Sequence, residues 1–266
     1  WYEWGLMKKI FVLILFVLLF VYVANATVME GGVMKTGMGN SKRVVDSATN
    51  MPVSGAKVVL PKLDYITVTD DNGAFSLNAN IKSPTILSVQ KEGYRPFSLT
   101  IDEKIAAKPI VVGIEKSNVQ DIVISSEMFH LGDDNYSENS ANSGEFKGRS
   151  IGAYFSKSFQ IAQNALTKQN FLVIGSIIGI DTFMAKTMGQ NSVAHAFSSP
   201  PEVFFNGIKI AEIQLNGDGQ KIKIPNNILK VGQLNEVTIH TGRNLRQTAY
   251  IDYDDIEFMN LYIKSE

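Results

Sequence analysis

The stretch from residue 44 to residue 97 restricts the fold of this chain most, because short β-forming runs alternate there with turn signals. The turns are marked by Pro-Val-Ser-Gly-Ala at 52–56, Asp-Asp-Asn-Gly at 70–73 and Lys-Glu-Gly-Tyr at 91–94. Gly and Asn tolerate a positive φ, and Asp or Asn side chains close turns on their own backbone. Alternating residues on both sides of the Asp-Asn-Gly turn, at 67–69 and 75–77, predict a hairpin.

Short strands with closely spaced turn signals are typical of a β-sandwich. The first region is predicted to contain seven strands, at 42–46, 56–60, 65–69, 74–78, 85–90, 97–101 and 109–115. The order of its signals resembles the carboxypeptidase regulatory-like domain, a prealbumin-like sandwich, over residues 35–116. The resemblance implies a fold rather than an activity, because such a domain usually accompanies another function.

The amino terminus has the three parts of a secretory signal peptide. Met-Lys-Lys at 7–9 precedes an apolar run at 10–23, and Ala24-Asn25-Ala26 follows it. The run is shorter than the ~20 residues that span a bilayer. Residues 1–26 are therefore interpreted as upstream residues plus a signal peptide. We expect a secreted or cell-surface protein, periplasmic in a double-membraned bacterium, with no membrane insertion after cleavage.

The remaining boundaries follow from composition. Residues 27–40 are rich in Gly and Met and are expected to be a flexible lead-in to a domain at 41–116. Residues 117–127 are expected to be a linker to a second domain at 128–266. That domain begins with a polar stretch at 128–148, which is typical of a loop.

Strand signals return after this stretch. The predicted strands are 151–160, 171–180, 202–205, 209–215, 221–224, 236–241 and 256–263. Residues 161–168 fit a short helix or a strand edge, and residues 182–199 show no family pattern.

The second domain resembles galactose-binding-like jelly rolls, which include carbohydrate-binding modules. The resemblance rests on the strand–turn–strand pattern at 203–210, on residues 222–225 and 228–239, and on the acidic final strand at 252–258. The Asn-Gly turn at 206–207 also has a local explanation, the type I′ hairpin. The resemblance implies an all-β protein of two sandwiches, with the first sandwich as a spacer and the second as a carbohydrate-binding domain.

Catalytic patterns are missing from the sequence. It has no Gly-x-Ser-x-Gly elbow, no His-Glu-x-x-His helix and no phosphate-binding Gly loop followed by Lys-Ser or Lys-Thr. The absence of cysteine excludes disulfides and thiolate chemistry, and a formal net charge of -1 argues against nucleic acid. We interpret the protein as non-enzymatic.

Two acidic clusters predict a structural calcium site. Calcium prefers carboxylate and carbonyl oxygens, and a jelly roll can bring its first and last segments together. The predicted ligands are Asp133, Asp134, Asp252, Asp254 and Asp255. The alternative interpretation is a pair of solvated acidic turns.

Carbohydrate binding needs aromatic faces for sugar C–H surfaces and polar groups for hydroxyls. The predicted ligand-binding residues are Tyr136, Tyr154, His240, Arg243, Asn244 and Arg246. Each could equally have a structural role, as a half-buried strand tyrosine or a solvated loop residue. The expected partner is a polysaccharide or glycan. The alternatives are a structural or adhesion component that binds a protein at the cell surface, and an accessory subunit of a secreted glycoside hydrolase.

Overall fold

A computed structural model describes residues 34–35, 42–133, 146, 148–161, 163–191 and 197–266. The predicted signal peptide, Asp134 and Tyr136 lie outside the described residues. Within those ranges, no helix has the length and apolar character needed to cross a membrane. The architecture is all-β, with four sheets that form two sandwiches, as predicted.

The first sandwich consists of two sheets. Its elements are β1 (Met34–Lys35), β2 (Lys42–Asp46), β3 (Lys57–Leu60), β4 (Tyr65–Val68), β5 (Thr85–Gln90), β6 (Phe97–Ile101), α1 (Glu103–Ala106) and β7 (Ile110–Ile114). One sheet has the order β1-β7-β2, with β2 parallel to β7, and the other is the antiparallel sheet β4-β3-β5-β6. Alternate apolar residues such as Val58, Leu60 and Val112 fill the core between them.

The tight turn at 70–74 forms, but the predicted hairpin around it is wrong. Asp70 N donates to the Ala74 carbonyl at 2.9 Å, and Asp70 Oδ1 accepts from the amides of Asn72 and Ala74. The chain then leaves β4 and runs beside β2, where Val44 N donates to the Gly73 carbonyl at 2.8 Å. The segment 74–78 makes only an isolated bridge, so the turn connects the two sheets instead of two paired strands.

Gly73 offers a test of this sheet-to-sheet turn. Its φ is +68°, and an added Cβ would lie 2.4 Å from the Val44 carbonyl oxygen. Gly93 also has a positive φ, +80°, but an added Cβ would have no neighbour within 4 Å. We expect Gly73→Ala to lower the free energy of unfolding by about 2–3 kcal/mol, and the control Gly93→Ala by about 1 kcal/mol. Equal losses in urea titrations would mean that the turn does not press against β2.

The second sandwich is a jelly roll. Its elements are β8 (Ile122–Leu131), β9 (Tyr154–Gln160), β10 (Asn170–Ile178), α2 (Phe183–Thr187), β11 (Glu202–Phe205), β12 (Ile208–Glu212), β13 (Gly217–Ile224), β14 (Leu234–His240) and β15 (Ile256–Ser265). Eight strands form two four-stranded sheets, β13-β10-β15-β8 and β12-β11-β14-β9, as in jelly rolls. Apolar residues of both sheets, including Leu172, Ile239 and Phe258, form the core between them.

The predicted linker at 117–127 and the predicted loop at 128–148 both need correction. Strand β8 starts inside the predicted linker and continues to Leu131, so residues 128–131 are not part of a loop. The mixture of Ser, Glu and His in β8 did not indicate a strand. Such residues are accommodated in β8 because, among the described strands, it pairs with β15 alone. Residues 163–167 form a 3₁₀ helix, which agrees with the short-helix alternative for 161–168, and α2 lies in the segment that showed no pattern.

The two sandwiches pack face to face and make a stack of four sheets. The outer face of β5 and β6 lies on the sheet that contains β10 and β15, around an apolar cluster of Ile86, Phe146, Ile178 and Met259. Strand β15 is buried along its whole length, because its sheet is covered on both faces. The sheet β12-β11-β14-β9 therefore has its outer face at the opposite end of the stack, away from the first sandwich.

Candidate functional site

Three aromatic side chains lie next to one another on this outer face. Tyr154 of β9 is paired directly with His240 of β14, and their ring centroids are 5.6 Å apart. Phe204 of the next strand, β11, has its ring centroid 4.9 Å from that of His240. We call Tyr154, Phe204 and His240 the aromatic face. It is a row of rings that crosses three neighbouring strands.

Strand alternation explains why these rings point outward. Phe155, Val203 and Ile239, which precede or follow them in the chain, are buried in the core. Successive side chains of a strand point to opposite sides of a sheet, so the neighbouring rings face solvent. Tyr154 is 60% exposed. The core thus fixes the backbone under the aromatic face without covering it.

Polar groups lie on the same face of the sheet. Glu202 is paired with His240 in the β11–β14 register, and Lys209 Nζ lies 3.0 Å from Glu202 Oε1 and 2.9 Å from Glu212 Oε1. Hydrogen bonds to these two carboxylates raise the pKa of Lys209. In the next row, the hydroxyls of Ser156 and Thr238 are 3.1 Å apart. Donors and acceptors of both charges therefore border the aromatic rings.

The three loop residues predicted to bind ligand have different environments. Asn244 is used within its loop, because its Nδ2 donates to Asp252 Oδ2 at 3.1 Å and its Oδ1 accepts from Arg246 N at 3.0 Å. The Arg246 guanidinium stacks on Phe197, with 4.1 Å from Cζ to the ring centroid. Arg243 is exposed, and its backbone is hydrogen-bonded to Ser199. Of the predicted ligand-binding residues, the structure brings together Tyr154 and His240.

Phe204 was not among the residues predicted to bind a ligand. Its signal is present in the run Val203-Phe204-Phe205-Asn206-Gly207, because the two-residue turn fixes the register of the β11–β12 hairpin. Once Val203 and Phe205 are assigned to the core, Phe204 must point outward.

The acidic clusters do come together at one end of the jelly roll. Asp133 Oδ2 accepts from Tyr253 N at 3.2 Å. Burial first, and then the charges of Asp252 and Asp255, raise the pKa of Asp133. The predicted closeness of the first and last segments is therefore present, although Asp134 lies outside the described residues.

The four predicted calcium ligands that the structure describes all have partners within the protein, and those of Asp133 and Asp252 are the Tyr253 amide and the Asn244 side chain. Asp254 is buried and accepts from Asp181 N at 3.1 Å, and burial together with the Asp181 charge raises its pKa well above the usual range. Asp255 Oδ1 lies 2.9 Å from Nε2 of the buried His130. In the described part of the chain, no group of three or more His, Cys, Asp and Glu residues is arranged to hold a metal ion. Calcium binding stays a prediction.

The His130–Asp255 contact has a structural explanation. Burial lowers the pKa of His130, but hydrogen bonds to Asp255 and to the Gly148 carbonyl outweigh it, and the net shift is upward. The imidazole thus links β8, residue 148 and the start of β15 inside the protein. A side chain with 3% exposure at this position holds segments together rather than meeting a ligand.

Comparison with known families identifies the first sandwich. Residues 42–124 match the CarboxypepD_reg-like domain, which confirms the resemblance found in the sequence. Comparison of the sequence with curated proteins found no match.

Three solved structures are similar to the chain at low identity. The M60 catalytic domain with the CBM51-1 and CBM51-2 domains of Clostridium perfringens ZmpB is 11% identical, with 86% of this chain and 22% of that chain covered and a TM-score of 0.29. CBM51-2 in complex with GlcNAc and INT domains, from the same protein, is 12% identical. The match covers 86% of this chain and 48% of that chain, with a TM-score of 0.24. A putative membrane-associated protein of Bacteroides fragilis is 11% identical. The match covers 85% of this chain and 96% of that chain, with a TM-score of 0.23. The chain spans about a fifth of the length of the first of these.

Proposed function

We propose that the protein is a non-catalytic, secreted or cell-surface carbohydrate-binding protein, and that its aromatic face holds the glycan. The observation that carries this proposal is the contiguous row of Tyr154, His240 and Phe204 on an outer sheet face. Aromatic rings have an electron-rich face, which attracts the polarised C–H groups on one side of a sugar ring. A row across three strands offers such surfaces to successive sugars of a chain.

The polar border supplies the groups that would orient a sugar. Glu202 accepts hydrogen bonds from hydroxyls, Lys209 donates them, and Ser156 and Thr238 do both. Their positions are set by cross-strand pairing rather than by a mobile loop. Pre-positioned groups lose little conformational freedom on binding, and this favours recognition on an open sheet face.

A glycan array and three single variants test this function. In the array we expect the protein to bind at least one class of oligosaccharide. Tyr154→Ala, Phe204→Ala and His240→Ala should each weaken that binding about tenfold, since one stacking contact contributes about 1.4 kcal/mol. Calorimetric titration with the oligosaccharide found on the array measures the affinities.

Tyr250→Ala is a matched control, because Tyr250 is 61% exposed and lies in the loop before β15, outside the aromatic face. Its variant should bind as the parent does. All four variants change surface residues and should keep the parent melting temperature. If Tyr250→Ala alone lost binding, the glycan site would lie in the loop before β15 and not on the aromatic face. An array without any binding would contradict the proposed function.

A protein partner is the second candidate, and a groove between the two sandwiches favours it. The groove has a volume of about 670 Å³, and Val59, Val123 and Met128 contribute apolar lining. Strand β8 runs along it and, among the described strands, pairs with β15 alone. Gln90 and Ile151 donate to the carbonyls of Ser126 and His130, and an extended peptide could add to the remaining part of this edge. Capture of a protein by the parent but not by Val123→Asp, together with an empty glycan array, would favour this adhesion function.

A further inference from the structure

A second exposed surface lies at the loop end of the jelly roll, where large apolar side chains are concentrated. The residues that form it come from α2, its C-cap and the loop before β15: Phe183, Met184, Met188, Leu245, Tyr250 and Ile251. Each is between 48% and 71% exposed. We call these six residues the apolar tip. Large apolar groups concentrated at one exposed place mark a binding surface in a soluble domain.

Phe197 joins the two halves of the apolar tip. Leu245 N donates to the Phe197 carbonyl at 3.1 Å, and the rings of Phe183 and Phe197 are 6.0 Å apart. Residue Ser198 bridges Thr182 on one side and Asn244 on the other. Helix α2 and the loop are therefore held together as one surface by the strand-like segment between them.

Basic side chains predominate in the two segments of the apolar tip, and the neighbouring acid Asp252 accepts a hydrogen bond from Asn244 Nδ2. Lys186, Arg243 and Arg246 lie in the same two segments, and the sequence has no Asp or Glu at 182–199 or 243–251. Lys186 Nζ lies 4.7 Å from the Phe197 ring centroid and Arg246 Cζ lies 4.1 Å from it, so both cations are beside the apolar groups. The whole chain has a formal net charge of -1, which makes this cationic region an exception.

We propose that the apolar tip docks onto the surface of a bilayer that contains anionic lipids. Apolar side chains flanked by Lys and Arg match the boundary of acyl chains and phosphate groups. The aliphatic groups of Met, Leu and Ile have no hydrogen-bonding capacity for a sugar, so the surface differs in chemistry from the aromatic face. Docking of this kind needs no membrane-spanning segment, and it places the surface-bound protein with its loop end toward the lipid.

Vesicle binding with a fluorescent reporter tests the proposal. The chain has two tryptophans, Trp1 and Trp4. In the reporter variants both are changed to Phe, so that the introduced indole is the sole source of tryptophan fluorescence. Phe183→Trp then introduces an indole that reports on the apolar tip, and Val119→Trp, at a fully exposed position outside it, is the matched control. With vesicles of phosphatidylcholine and phosphatidylglycerol, we expect the indole fluorescence of F183W to shift to the blue and to be quenched by brominated acyl chains. The fluorescence of V119W should show neither effect.

The charge requirement is tested separately. Each cation near an anionic surface strengthens binding about fivefold. Lys186→Gln with Arg243→Gln should therefore weaken binding about 25-fold, whereas Lys104→Gln with Lys108→Gln, two exposed lysines of the first sandwich, should leave binding within about twofold. Vesicles of phosphatidylcholine alone should bind much more weakly.

Three results would overturn the proposal: no blue shift in F183W, equal quenching in F183W and V119W, or equal binding after both pairs of charge changes. Binding of an acidic polysaccharide in place of vesicles would assign the surface to a glycan. Tyr154→Ala should retain full vesicle binding. An empty glycan array would therefore contradict the carbohydrate proposal alone, and absence of vesicle binding would contradict this proposal alone.

Discussion

Gly175→Val is expected to lower the free energy of unfolding by about 3–5 kcal/mol, because Gly175 lies where the two sandwiches touch. An added Cβ would be 2.5 Å from Ser98 Oγ, 2.7 Å from Asn260 Cβ and 3.1 Å from the Met259 carbonyl oxygen. Overpacking of this kind costs about 1–3 kcal/mol, and each buried polar group that loses its partner costs about 1–3 kcal/mol more. Ser98 belongs to the first sandwich, whereas Met259 and Asn260 belong to β15, the strand paired with β10, so the side chain fits only if the sandwiches move apart and β15 shifts as well.

The polar groups at risk form the centre of the interface. The hydroxyl oxygens of Ser176 and Ser98 are 3.0 Å apart, and Asn260 Nδ2 donates to Ser88 Oγ at 3.0 Å. Thr100 donates its amide to Asp218 at 3.0 Å and its hydroxyl at 2.9 Å. Burial raises the pKa of Asp218, while the hydrogen bonds from Ser176 and Thr100 lower it and leave a net upward shift. These bonds fix one orientation of the first sandwich on the second.

Gly217→Val is the matched control for the interface. Gly217 lies in β13 of the same sheet, and the nearest atom to an added Cβ is Gln220 Nε2, the end of a flexible side chain, at 3.4 Å. We expect a loss below about 1 kcal/mol for this change. Urea unfolding followed by circular dichroism compares the two variants, and a split into two transitions in Gly175→Val alone would show that the sandwiches unfold separately. Equal midpoints for the variants would contradict the close packing at Gly175.

Turn chemistry and residue alternation, together with the two family resemblances, were sufficient to predict two β-sandwiches, but they did not identify strand partners. The Asp70–Gly73 signal located a real turn, yet the residues after it lie beside β2 instead of pairing with β4. Local sequence determines where a chain turns and which face a side chain takes, whereas pairing depends on segments far away in the chain. The parallel pairing of β2 with β7 has the same long-range origin.

The same limit applies to the candidate sites. Tyr154 and His240 could be selected as chemically suitable, but their contact depends on the β9–β14 register. Asp254 was predicted to face a cation because it lies in a run of acids, yet it is buried against the Asp181 amide. Ser88, Ser98 and Asn260 look like ordinary surface residues in the sequence, and only the stacking of the sandwiches explains their burial.

Phe258→Ala should lower the free energy of unfolding of the jelly roll by about 3–5 kcal/mol, the range for removing a buried phenylalanine. Phe258 is fully buried in β15, and its ring centroid lies 5.5 Å from that of Phe129 and 5.4 Å from that of Phe155. The Phe129 and Phe155 centroids are 4.5 Å apart, so three rings pack against one another between the two sheets. Removal of the Phe258 ring leaves a cavity that strands on both sides cannot close without changing their own pairing.

Loss of a core ring and loss of a surface ring should have different effects on glycan binding and on stability. Phe155 is followed on its strand by outward residues and preceded by Tyr154, so the three core rings support the backbone under the aromatic face. Phe204→Ala removes a ring from the outer side of the same sheet, and it should weaken glycan binding about tenfold while it changes stability by less than about 0.5 kcal/mol. Phe258→Ala should lower the free energy of unfolding but leave glycan affinity unchanged below its melting temperature, because the folded fraction keeps its outer rings. If calorimetry found that both variants lose stability equally, Phe204 would belong to the core and the aromatic face would shrink to Tyr154 and His240.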